Sequence, residues 1–109
     1  MQRISLAALA RQQLELAASH GGRAADTVVG GHERVLRQTV VGLIAGSTLG
    51  DHLNPGEASV YVLRGRVRLV SGATSWEGRT GDLLKMPNER HSLEALEDSA
   101  VLLTVAKLP

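Results

Sequence analysis

The sequence predicts an all-β fold, a closed β-barrel or jelly roll, with one N-terminal α-helix. Three observations predict it. Apolar residues recur at spacings of three and four only near the start of the chain. From Gly22 onward, short apolar stretches recur about every 8 to 12 residues, with Gly, Pro or Asn between them. No later stretch is long and periodic enough to supply the crossover helices of a parallel sheet. With 109 residues the chain is expected to form one domain, residues 1–22 as the helix and residues 23–109 as the barrel.

The helix begins after Ser5, an N-cap residue, and its stripe is Leu6, Leu9, Ala10, Leu14 and Ala17. Leu16 widens that stripe, while Arg11, Gln12, Gln13 and Glu15 form the polar side. Gly21-Gly22 ends it. Its polar face lacks the basic residues of a membrane-surface helix, so it is expected to pack on the sheet or on a second subunit. Strands are expected over Thr27–Val29, Val35–Ala45, Ser59–Leu63, Arg66–Val70, Thr74–Glu77, Leu83–Met86, His91–Leu96 and Ala100–Ala106. The turns between them read as Gly30-Gly31, Asn54-Pro55-Gly56, Arg64-Gly65, Ser71-Gly72, Gly81-Asp82 and Glu97-Asp98. So many strands in so short a chain favour closure, which removes exposed edges.

Composition narrows function. The absence of cysteine excludes disulfide frameworks, thiol catalysis and sulfur-ligated metals. Tyr61 and Trp76 are the only aromatic residues, which leaves no platform for stacking single-stranded nucleic acid and requires an aliphatic core. A net charge of +1 is far from the basic footprint of a nucleic-acid binder. There is no membrane-length apolar run and no apolar region of a secretory signal near Arg3, so a cytoplasmic location is expected.

Four histidines are the candidate nitrogen ligands. His20 and His32 read as solvated loop residues. His52 and His91 lie in the chain's clearest pattern. The stretch Gly46–Gly65, GSTLGDHLNPGEASVYVLRG, resembles the first motif of the cupin family: a glycine, two alternating histidines, a glutamate and a closing glycine. Gly46, His52 and Gly65 fall on its fixed positions. GDLLKMPNERH resembles the second motif through Gly81, Pro87 and His91, the histidine arriving one residue early. The short segment Arg66–Thr80 between the motifs suits a small single-domain bacterial cupin. The resemblance implies a cupin-like jelly-roll barrel over about residues 35–106 and, by size, a homodimer.

In metal-binding cupins the motif residues close on one ion from inside the barrel. Here Asn54 and Ala58 stand at the second and third ligand positions. Glu57 is one residue out of phase and points to the other face unless a bulge at Pro55-Gly56 re-aims it. Three readings follow. The first is a non-enzymatic small-molecule-binding or regulatory module, with His52, Asn54 and His91 orienting a ligand in the barrel. The second is a metal-dependent enzyme of dioxygenase or isomerase type, with Fe, Mn, Ni or Zn held by His52, His91 and Glu57. The third is a structural protein whose histidines are satisfied core groups. No direct nucleic-acid or membrane partner is expected.

The remaining features read as structural. Arg64, Arg66 and Arg68 alternate with apolar residues and are expected on a solvated strand face. Trp76 is expected at a barrel end or a subunit interface. Tyr61 reads as ordinary strand packing. Asp82 is expected to bond turn N–H groups and to have no catalytic role.

Overall fold

The structure is a computed structural model that describes residues 2–52, 56–87 and 89–107. Helix α1 (Leu6–Ser19) is followed by nine strands: β1 (Arg23–Val29), β2 (Leu36–Leu43), β3 (Thr48–His52), β4 (Gly56–Arg64), β5 (Arg66–Ser71), β6 (Thr74–Arg79), β7 (Leu83–Lys85), β8 (His91–Ala95) and β9 (Ser99–Lys107). They form two antiparallel sheets, ordered β1-β2-β9-β4-β7 and β3-β8-β5-β6. Among the described residues no helix is long and apolar enough to cross a membrane.

Alternation along the strands builds the interior. On β5, Val67, Leu69 and Ser71 are buried while the residues between them are half-buried. On β8, His91, Leu93 and Ala95 are buried in the same rhythm. The core cluster is Val41, Leu43, Val60, Val62, Val67, Leu69, Leu93, Ala95 and Val101, with Leu49, Leu84, Met86 and Leu103 packed against it. It is entirely aliphatic apart from the thioether of Met86, as the composition requires.

Helix α1 starts where expected. Ser5 Oγ accepts the Ala8 N–H at 3.2 Å, which satisfies one of the first-turn donors. Gly22 N–H closes the other end on the Ala17 carbonyl at 2.8 Å. The helix packs on its own sheet, but its buried face differs from the expected stripe. Ala10, Gln13 and Ala17 are buried, while Leu16 is 39% exposed. Close approach explains the difference. Gly42 of β2 lies against the helix backbone at Gln13 and Leu14, so near that a Cβ there would stand 2.5 Å from the Gln13 carbonyl. At that separation the contact face must be built from small side chains, and Gln13 is enclosed because it lies between Ala10 and Ala17.

The turn between β4 and β5 is pinned from β9. Ser99 is fully buried. Its Oγ accepts the Arg66 N–H at 3.0 Å and stands 2.7 Å from the Glu97 carbonyl and 3.0 Å from the Arg66 carbonyl, one of which takes its proton. Ser99→Ala strands these groups without water, so a loss of about 1–3 kcal/mol is expected in urea unfolding. At the next corner the Asp82 carboxylate accepts the Arg79 N–H at 2.8 Å, the turn role expected of it.

Candidate functional site

One end of the β3-β8-β5-β6 sheet is polar on its inner face. His91 is 1% exposed and continues the inward row of Leu93 and Ala95. Its Nδ1 lies 2.9 Å from the Glu89 carbonyl. A carbonyl only accepts, so Nδ1 carries the proton and the lone pair of the neutral ring is on Nε2. Ser71, 3% exposed on the inner face of β5, donates its hydroxyl to the Arg90 carbonyl at 2.8 Å. The segment leading into His91 is thus held from both sides, which fixes the ring's position and tautomer.

His52 is the register partner of His91. Leu49 pairs with Leu93, so β3 spends three residues where β8 spends two, and the register shifts between Leu49 and His52. The extra residue matters. On a regular strand, positions three apart fall on opposite faces. The shift brings the backbone of position 52 opposite that of position 91. The structure therefore brings the backbone positions of the two motif histidines together. Asn54 lies outside the described residues.

Glu57 does not join them. The register of β4 with β9 is unbroken from Gly56↔Lys107 to Val62↔Val101. Val60 and Val62 are fully buried in the core, and Glu57, an odd number of residues away, is exposed on the outer face. The bulge that would turn it inward is absent from the described part of β4. Among the described residues no group of three or more His, Cys, Asp or Glu could hold a metal ion. Glu57 instead lines an outer cleft of about 420 Å³ with Ala58, Ser59, Lys85, Met86, Thr104 and Ala106.

His20 and His32 are exposed, and His20 closes α1 through Nδ1, 2.8 Å from the Leu16 carbonyl. Sequence reasoning missed Ser71, whose only signal was its place at a strand end before Gly72. It also could not see the Glu89 carbonyl, which is backbone. The expected basic stripe is split: Arg64 ends β4 in one sheet, while Arg66 and Arg68 on β5 in the other are paired, Arg68 with Glu94 at 3.3 Å and Arg66 with Glu77 at 3.6 Å and Glu97 at 3.4 Å. The Arg66 Nε contact with Glu97 is too poorly aligned for a hydrogen bond. The face of β5 is thus one of mixed charge.

No protein-family model matches the sequence, and no curated protein matches it. Solved structures do. A conserved protein of unknown function from Streptococcus pyogenes is 24% identical, with a TM-score of 0.76 over 99% of this chain and 89% of that one. A cupin superfamily protein from Desulfitobacterium hafniense is 11% identical, with a TM-score of 0.72 over 79% of this chain and 78% of that one. A G106A mutant of salicylate 1,2-dioxygenase from Pseudoaminobacter salicylatoxidans is 21% identical, with a TM-score of 0.73 over 89% of this chain and 31% of that one. Two sheets closed around an aliphatic core, the paired motif positions 52 and 91, and these neighbours agree: the protein has the cupin fold.

Proposed function

We propose that the chain is a non-enzymatic binding module that holds a small molecule at the polar end of the barrel, with His91, His52 and Asn54 as its contacts. One observation carries this reading: a histidine 1% exposed, at the end of an aliphatic barrel, whose tautomer is set by a backbone carbonyl. A neutral ring in that state accepts a hydrogen bond from a hydroxyl or amide of a ligand; a protonated ring offers an N–H to an anion. A regulatory role fits such a module, acting through whatever partner reads the bound state.

The second reading is metal-dependent chemistry, favoured by the lone pair on His91 Nε2 and the pairing with position 52. The described residues do not fit it. Glu57 faces outward, and a first-row ion normally takes at least three protein ligands.

One pair of measurements separates the readings. Metal analysis of protein purified without chelator is expected to find well under one equivalent of Fe, Mn, Ni and Zn; near one equivalent, lost in His52→Ala and His91→Ala, would reverse the order. Thermal melting against a panel of small anionic and hydroxylated metabolites is expected to find a stabilising ligand. At one hundred times its Kd such a ligand adds about 2.7 kcal/mol, a rise of several degrees, and the rise disappears in His91→Leu. A panel in which nothing moves the melting temperature would sink the binding reading.

A further inference from the structure

We infer that the cleft between β6 and β7 binds an amphipathic monoanion: a ring-sized apolar body that packs on Trp76, carrying a carboxylate that pairs with Lys85. β6 ends one sheet and β7 ends the other, so the two strands form a seam in the side of the barrel. The seam closes at Gly78. That residue is buried, and a Cβ there would stand 3.0 Å from Leu84 of β7. Two residues back along β6 lies a cleft of about 340 Å³, lined by Leu69, Trp76, Leu83, Leu84 and Lys85.

The register explains why the indole meets this cleft. β5 and β6 pair without a break from Arg66↔Arg79 to Ser71↔Thr74, so Trp76 shares the inner face of its partner Leu69. Leu93, Leu69 and Trp76 follow one another across β8, β5 and β6. The first two are 1% exposed and the third is 46% exposed, because β6 is the free edge of its sheet. The chain's only tryptophan thus stands half in water at the end of a buried aliphatic row. Leu83, on the β7 wall, is 61% exposed. An indole so placed offers a flat apolar face for a ring to cover.

Charge selects the class of ligand. Lys85 is the one charged residue among those lining the cleft. It is exposed, and among the described residues it has no ion-pair partner. An apolar cleft with a single cation beside it favours one negative charge on an apolar body; a neutral analogue forgoes the pair. His91 and Ser71 of the barrel's polar end do not line this cleft, so the two sites fill independently.

The test is a titration of ¹⁵N-labelled protein with phenylacetate and, separately, with its neutral amide, phenylacetamide. The indole N–H signal of Trp76, the only one in the chain, is the readout. Phenylacetate is expected to shift it saturably. The amide, and phenylacetate on Lys85→Gln, are expected to bind about threefold more weakly. The phenylacetate shift is expected to persist in His91→Leu. An indole signal that phenylacetate does not move overturns the proposal. So does equal binding of acid and amide, or acid binding unchanged in Lys85→Gln, since the cation then selects nothing. Loss of the shift in a folded His91→Leu places the ligand at the polar end, and a signal that moves with protein concentration alone places a second copy on the cleft; either overturns it. Should His91→Leu fail to fold, the comparison of acid with amide on the wild type and on Lys85→Gln decides alone.

Discussion

Replacing Gly65 with alanine is expected to cost about 2–5 kcal/mol. Two independent costs meet there. Gly65 has φ +90°, a left-handed backbone that an L side chain adopts at a cost of roughly 1–2 kcal/mol. It is also enclosed: a Cβ would stand 2.4 Å from the Asp98 carbonyl and from Ser99 Oγ, and 2.9 Å from Ser99 Cα. Ser99 cannot yield, because its hydroxyl accepts the Arg66 N–H and donates to one of the two carbonyls beside it, that of Arg66 or of Glu97. Against a total stability of about 5–15 kcal/mol for a small domain, this approaches unfolding. Gly81 supplies the control. Its φ is +93° with nothing within 4 Å of an added Cβ, so Gly81→Ala meets the backbone cost alone. Urea unfolding of both variants checks the argument; equal losses would show that the enclosure by Ser99 contributes nothing.

Gly42→Ala is the second large effect, and it acts through packing alone. Gly42 is not among the positive-φ glycines, so its backbone suits any residue. The obstacle is α1, whose Gln13 carbonyl and Leu14 nitrogen would lie 2.5 Å and 2.8 Å from the new Cβ. Both are backbone atoms inside a helix, so no rotamer change relieves the contact and the helix must move as a unit. A cost of about 1–3 kcal/mol is expected, and Gly42→Val, with more to accommodate, costs more. Limited proteolysis distinguishes this from general destabilisation. Cleavage ahead of Arg23 is expected to speed up before cleavage anywhere among the strands, because the helix can lift while both sheets persist. Uniform acceleration along the chain would contradict the docking account.

These two glycines also show what the sequence made legible. Gly65 was readable as a turn and as a motif position; the reason alanine is excluded there, the backing by Ser99, is a contact between residues far apart in the chain. Gly42 lay inside a stretch read only as strand, and nothing local marks it as the seat of a helix. The helix end, seven strand cores and both motif histidines were legible because periodicity and turn residues are local signals. β3 was not: in Thr48–His52 only Leu49 is apolar, and pairing with β8 makes it a strand. β1 was read too short for the same reason, since Arg23–Asp26 owe their extended form to the ladder with β2. At the site, the outward phase of Glu57 followed from strand alternation. The register shift that aligns position 52 with position 91, and the carbonyl that sets the His91 tautomer, come from strand pairing and backbone geometry that no residue type announces.

Nitrogen NMR of the His91 imidazole tests most directly whether this side chain is the prearranged ligand contact proposed above. Spectra of uniformly ¹⁵N-labelled protein, assigned with His91→Leu, are expected to show the Nδ1-protonated tautomer with an unprotonated Nε2. Addition of a metabolite that raises the melting temperature is then expected to shift the Nε2 resonance while Nδ1 keeps its bond to the Glu89 carbonyl. A ring protonated on Nε2, or an Nε2 signal that stays put while a stabilising ligand binds, would contradict the account.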